Sequence, residues 1–183
     1  KAENKFGIEF DYAKSMYNIA SDLKNINISG ISVHIGSQIT SLKPFKKAYT
    51  IIYDMIEDLR NNGHKIDHVD LGGGLGVSYS AEENIPTFKE YANLIQSIFG
   101  NSNIKVYIEP GRLMVANSGL LITKVIDIKT TTQKTFIIVD AGMNDFIRPT
   151  LYGSYHEILP VKNNLGTSNK IYDIVGPICE TGD

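Results

Sequence analysis

Apolar positions change period several times along this chain, and the changes predict its elements. Asp11 is a helix-capping residue type, and Tyr12, Met16, Ile19, Ala20 and Leu23 follow it at helical spacing. That pattern predicts an amphipathic helix to about Asn25. Ile31 to Ile35 is a short β-branched run and reads as a buried strand. Phe45 to Asn62 is helical again, with Tyr49, Ile52, Ile56 and Leu59 on one face, and Asn61-Asn62-Gly63 closes it. Ile66 to Leu71 reads as a strand that enters Gly72-Gly73-Gly74-Leu75-Gly76. Thr87 to Phe99 is a third helix, stopped by Gly100, and Lys105 to Ile108 is a strand that enters Glu109-Pro110-Gly111-Arg112.

Strand, turn and helix thus recur at a spacing of roughly 35 residues, the signature of βαβ units and a parallel sheet. Three successive loops after strands carry polar or glycine-rich groups: His34-Ile35-Gly36-Ser37-Gln38, the glycine run, and Glu109 to Arg112. In a (β/α)8 barrel such loops converge at the C-terminal ends of the strands, whereas in an open doubly wound sheet only the switch-point loops meet. The barrel is therefore the expected architecture. A whole one takes roughly 250 residues, so this chain holds part of one. After about Gly119 the pattern changes, because Leu120 to Ile128 and Thr135 to Val139 are strand-like with no long helix between them. The expected organisation is barrel over residues 1–118 and an antiparallel β domain beginning over 119–183.

Composition narrows the function. The 183 residues are 42% hydrophobic and 21% charged, the balance of a globular protein. A net charge of −2 carries no basic excess, so neither nucleic acid nor a membrane surface is an expected partner. No apolar run is long enough for a transmembrane helix. The single cysteine, Cys179, excludes an internal disulfide framework and any CxxC metal or redox motif, and no metal site is expected. Lys1 opens the chain, and a motif-like stretch, Cys179 to Asp183, runs into its end. Both edges lead us to expect a piece of a longer protein.

The candidate chemistry lies in the loops. Consecutive glycines after a strand expose backbone N–H groups that can cradle a phosphate, although a tight strand-to-helix turn needs glycine equally. The spacing matches neither GxGxxG nor the P-loop. Ser37 can donate to the same phosphate. His34 can stack on a flat ring, act as an acid or base, or simply satisfy a strand end. Glu109 ends a strand expected to be buried on both faces, where a carboxylate needs a cation: a protonated ring nitrogen or Arg112. Arg148 is one of three arginines and precedes a proline, which predicts an extended or turn conformation. It can hold a substrate carboxylate or form a surface ion pair. Cys179 can be a small buried hydrophobe or, beside Glu180 and Asp183, a thiol kept protonated as a proton donor.

Taken together, these stretches resemble the diaminopimelate decarboxylase family, pyridoxal-phosphate enzymes with an alanine-racemase-like fold. The matching segments are Lys5–Ile8, His34–Ile39, Leu71–Tyr79, Glu109–Arg112, Asp140–Ile158 and Gly176–Asp183. The resemblance implies that these residues are the second half of a TIM-type barrel followed by the start of a β domain. It implies pyridoxal 5'-phosphate held by Ser37, Gly73, Gly74 and backbone near Gly111, with His34 stacked on its ring and Glu109 on its ring nitrogen. It implies substrate contacts from Arg112, Arg148, Tyr152 and Glu180, Arg112 serving the cofactor site too, and Cys179 as proton donor. The implied reaction is decarboxylation of meso-2,6-diaminopimelate to L-lysine, in a cytoplasmic homodimer with shared active sites. Ornithine, arginine or carboxynorspermidine decarboxylases, and an inactive paralogue, share parts of the pattern. The family's cofactor-linked lysine is expected before Lys1 and a further tyrosine beyond Asp183, so residues 1–183 alone are not expected to decarboxylate anything.

Overall fold

The computed structural model describes residues 5–80, 83–162, 170–179 and 182. Their backbone forms two compact units. One runs to Val77 and resumes over Asn84–Ser118; the other combines Ser78–Glu83 with the residues from Gly119 onward.

The first unit alternates strand and helix as the periodicity predicts. Its strands β1 (Gly30–Ser32), β2 (His68–Asp70) and β3 (Lys105–Tyr107) are parallel and lie in the order β1-β2-β3. Their register aligns Gly30, His68 and Lys105, then Ile31, Val69 and Val106, then Ser32, Asp70 and Tyr107. The middle row faces the helices: Val69 is fully buried, and Ile31 nearly so. The strands are shorter than predicted because the chain leaves the ladder at Val33, Leu71 and Ile108 to form the loops that matter below. With its short strands and intervening helices, this unit is an arc of a barrel.

The helix α2 (Leu42–Asn61) is the keystone of the unit. Ser41 caps it by accepting from the Lys43 N–H at 3.3 Å, so it begins three residues before Phe45. Phe45, Tyr49, Ile52, Met55, Ile56 and Leu59 form its buried face, at the spacing the sequence marks. The helix α3 (Phe88–Phe99) opens on a capping box, in which Thr87 accepts from the Glu90 N–H while Glu90 accepts from the Thr87 N–H. Phe45, Tyr49, Tyr91 and Phe99 form an aromatic cluster between the two helices, and the Tyr49 and Tyr91 hydroxyls share a hydrogen bond of 2.6 Å.

The helix α1 (Phe10–Ser21) corrects one expectation. Of the predicted face, Tyr12, Met16, Ile19 and Leu23 are exposed and Ala20 is half-buried, whereas Ala13 and Tyr17 pack against the core. Tyr17 donates its hydroxyl to the Gly30 carbonyl at 2.7 Å. Two apolar stripes adjoin on this helix, and periodicity alone cannot choose between them.

The second unit holds β4 (Val125–Thr130), β5 (Thr135–Val139) and β6 (Asp173–Val175). β4 and β5 pair antiparallel across a tight turn, and β6 joins the far edge of β5 in parallel. Residues 120–124 stay outside the ladder. Two short helices were not foreseen: α4 (Gly111–Val115) in the first unit and α5 (Arg148–Tyr152) in the second.

Burial raises the pKa of both Tyr49 and Tyr91 above the usual tyrosine value. A raised value in the folded state means that stability is full below the unfolded value and is lost as pH rises past it. Urea midpoints of the full-length protein are therefore expected to fall above about pH 10. Tyr49→Phe, which removes one of the two groups, is expected to make that fall shallower.

Candidate functional site

The C-terminal ends of β1, β2 and β3 feed three loops that interlock through their backbones. Val33 N donates to Asp70 O at 2.8 Å, Leu71 N to Tyr107 O at 3.0 Å, and Glu109 N to Gly72 O at 2.9 Å. Further along, Ile39 N donates to Gly74 O at 2.9 Å and Gly76 N to Ile39 O at 3.0 Å. The loops thus continue the sheet past its regular strands.

The glycine run is what lets them close. A Cβ on Gly73 would collide with the Glu109 carbonyl, and one on Gly74 with the Gly36 carbonyl. Gly72 and Gly74 also take φ of 65° and 99°, the left-handed region that side chains disfavour. Asp70 sets the first of these turns by accepting from Gly72 N at 2.8 Å, a side chain bonding its own backbone two residues on. Of the two readings of the run, the tight turn is realised in full. The phosphate reading remains compatible with it, since no acceptor among the described residues stands against the N–H of Gly73 or Gly74.

Around this turn stand the predicted side chains of the first unit. His34 lies against it, its Nδ1 3.1 Å from where a Gly72 Cβ would sit. Ser37 and Glu109 are exposed, and Arg112 is half-buried. Glu109 differs from expectation in its burial. β3 is the edge of the described sheet, and within this arc of the barrel its residues are exposed, half-buried and exposed in turn. Arg112 is also not the partner of Glu109. It donates to Gln38 Oε1 at 2.9 Å, and among the described residues no cation pairs with the Glu109 carboxylate. Pro110 and Gly111 turn the chain tightly, Gly111 N donating to Glu109 O at 2.9 Å, and α4 begins there.

The remaining predicted residues lie in the second unit. Arg148 opens α5, with Pro149 in its first turn, rather than lying extended. A proline needs no N–H acceptor in a first turn, so the helix gains a fixed φ there at no cost in hydrogen bonds. The Arg148 guanidinium sits 5.5 Å from the Tyr152 ring centroid and 5.9 Å from that of Tyr79, and donates to Ser154 Oγ at 3.3 Å. The His156 ring packs edge-on against Phe146 at 4.5 Å and Tyr79 at 5.2 Å. Burial, and then the nearby Arg148 charge, push its pKa below the usual histidine value. Cys179 is exposed. Its turn closes by Gly182 N donating to Cys179 O at 2.8 Å, and the Gly182 carbonyl accepts from the Thr150 hydroxyl at 2.9 Å. That bond joins the cysteine turn to the helix carrying Arg148 and Tyr152. Glu180 lies outside the described residues. Asp140 serves the backbone: it accepts from the Lys124 N–H and the Thr123 hydroxyl, which hold its pKa below the usual carboxylate range.

The sequence reading passed over Gln38, Asp70, Tyr79 and His156. Gln38 sits inside a stretch already singled out, and the residue two before a glycine turn is a recognised place for Asp. Tyr79 and His156 also sit in singled-out stretches, Leu71–Tyr79 and Asp140–Ile158, but their ring contact arises only in the fold.

The first unit offers an anion a hydroxyl, bare backbone and a guanidinium, and offers a flat cationic ring an imidazole and an unpaired carboxylate. Comparisons with known proteins show the family. Residues 1–116 match the family described as "Pyridoxal-dependent decarboxylase, pyridoxal binding domain". The chain is 46% identical to the diaminopimelate decarboxylase of Zymomonas mobilis, over 100% of this chain and 43% of that protein. It is 44% identical to that of Aquifex aeolicus, over 99% and 43%. The crystal structure of diaminopimelate decarboxylase from Helicobacter pylori complexed with L-lysine superposes with a TM-score of 0.88 at 38% identity, covering 97% of this chain and 44% of that one. The chain thus spans less than half the length of these relatives.

The glycine geometry predicts a contrast. Gly73→Ala is expected to destabilise the full-length protein by about 1–3 kcal/mol, the usual cost of overpacking. Gly111→Ala, whose Cβ meets nothing within 4 Å, is expected to stay within about 0.5 kcal/mol. Chemical denaturation of the two variants measures both.

Proposed function

The chain belongs to the pyridoxal-dependent decarboxylases, and on that premise we propose that the full-length protein decarboxylates meso-2,6-diaminopimelate to L-lysine and CO2, the last step of lysine biosynthesis. The observation that carries this reading is Glu109: an acidic group with no described cationic partner, beside a glycine turn and an oriented arginine. Such a set is complementary to a ligand with a phosphate at one end and a protonated ring nitrogen at the other. The residues present therefore fit pyridoxal phosphate, which when bound supplies an electron sink for breaking the bond to the departing carboxylate.

The chain's own residues divide the remaining work. Ser37 Oγ, the backbone of Gly73, Gly74 and Gly111, and the Arg112 charge would hold the phosphate. His34, whose ring stands beside the glycine turn, would fix the plane of the bound ring. Glu109 would accept a hydrogen bond from a ring N–H, which would keep the proton on that nitrogen. Arg112, Arg148 and Tyr152 orient the substrate, and Glu180 receives its distal ammonium. Diaminopimelate carries an amino-acid group at each end, so the end far from the cofactor needs both a cation for its carboxylate and an anion for its ammonium. Arg148 supplies the first, its guanidinium held between the rings of Tyr79 and Tyr152. Cys179 donates the Sγ proton to the carbon that has lost CO2.

Two further parts belong to the same proposal. The active sites are shared in a homodimer, which the exposure of Cys179 favours, since a donor serving a neighbouring subunit must be accessible. The location is cytoplasmic, where a thiol that has to keep its proton stays reduced. Among the described residues, no helix is long and apolar enough to cross a membrane.

Assays of the full-length protein test the substrate. Turnover is expected with meso-diaminopimelate in preference to ornithine, arginine and carboxynorspermidine; activity on ornithine alone would overturn the substrate assignment. Cys179→Ala is expected to lower kcat more than tenfold, or about 1.4 kcal/mol in barrier height. A near-normal rate in that variant would assign the proton to another group.

A further inference from the structure

We propose that Gln38 is a positioning residue of the anion site: its neutral amide aims the Arg112 guanidinium and locks the end of the glycine run, leaving the positive charge whole. Gln38 sits at φ 54°, and no other described residue apart from glycines has a positive φ. Glycine would suit that backbone better, so the side chain must justify its place. It makes three hydrogen bonds. Nε2 donates to the Val77 carbonyl at 2.6 Å, while Oε1 accepts from Val77 N at 3.2 Å and from Arg112 at 2.9 Å. The two Val77 bonds admit one orientation of the amide, and that orientation turns the carbonyl oxygen toward the guanidinium. A single side chain on the β1 loop therefore ties the residue that follows the glycine run to the first turn of α4.

Charge explains the choice of an amide. A carboxylate at this position would hold Arg112 equally well and pair with it, cancelling the field that attracts an anion. The Gln38 carbonyl orients the guanidinium and neutralises nothing, so Arg112 keeps its remaining N–H donors and its charge for a ligand. Gln38 itself touches no ligand in this scheme; it acts through Arg112 and Val77. Naming that ligand as pyridoxal phosphate rests on the function proposed above.

A double-mutant cycle on the full-length protein tests this. Gln38→Gly, Arg112→Met and the pair are prepared as apoproteins and titrated with pyridoxal 5'-phosphate. Gln38→Gly relieves the backbone yet removes all three bonds, so it separates strain from positioning. Each single variant is expected to weaken binding at least tenfold, and the pair to lie within fivefold of the weaker single variant, because both act through one guanidinium. A loss below tenfold in Gln38→Gly, or a pair worse than that limit, overturns the proposal. In the holoenzyme, Gln38→Gly is expected to raise KM for meso-diaminopimelate by a larger factor than it lowers kcat, and the reverse split overturns it. Should the glycine variant fail to fold, Gln38→Glu takes its place: its carboxylate pairs with Arg112, and a tenfold loss of cofactor affinity is expected, unchanged affinity being the overturning result. A wild-type protein that binds pyridoxal phosphate but leaves diaminopimelate intact sinks the substrate assignment and leaves this cycle to decide on Gln38. One that binds no pyridoxal phosphate overturns both.

Discussion

Everything in the first unit depends on how closely three loop backbones approach one another. Gly73 touches the Glu109 carbonyl and Gly74 the Gly36 carbonyl, at separations that no side chain could share. Because those Cβ atoms are missing, the sheet's hydrogen bonding extends beyond β1, β2 and β3 into the loops, through Glu109 N to Gly72 O and Ile39 N to Gly74 O. Loops bonded in this way are held as firmly as strands. The buried face of α2 supports them from behind, with Tyr49 reaching the Leu71 carbonyl at 3.4 Å at the root of the glycine turn. A site carried on loops gains the positional precision of a sheet.

The polar groups on this frame are arranged so that few of them cancel. Arg112 meets an amide rather than a carboxylate, and Glu109, three residues earlier, is left without a cation among the described residues. Either group could have satisfied the other, and an isolated fold would gain a little from that pair. Keeping them apart retains both charges for a ligand. In the second unit the same principle recurs in different form: Arg148 lies among the rings of Tyr79 and Tyr152, which attract its charge without removing it. There the Thr150 to Gly182 bond joins the cysteine turn to the arginine helix, so residues distant in sequence share one small element.

Much of this could be read directly. The buried face of α2 follows the spacing of Tyr49, Ile52, Ile56 and Leu59, and α3 begins directly after Thr87 because Ser/Thr followed by Glu at the third position closes a capping box. Parallel strands follow from their spacing along the chain. The places where reading failed have separate physical causes. α1 carries two adjoining apolar stripes, and only packing selects the one bearing Ala13 and Tyr17. β3 is the last strand of the described sheet, so the burial of Glu109 depends on elements outside this arc of the barrel. Arg148 enters a helix despite its proline because a first turn tolerates what an interior turn does not. β6 reaches β5 from more than thirty residues away, a pairing that no local pattern announces.

The sequence by itself determined the longer helices, the parallel alternation of strand and helix in the first unit, and which loops bear chemistry, because these rest on periodicity, turn residues and residue types that act locally. It also determined the family, through short motifs whose residues serve one kind of ligand. Only the tertiary structure decided who pairs with whom. Arg112 faces Gln38 rather than Glu109, Arg148 is framed by a tyrosine from a remote loop, and the glycine run answers to the carbonyls of two other loops. Those outcomes depend on distances across the fold, which a linear pattern does not contain.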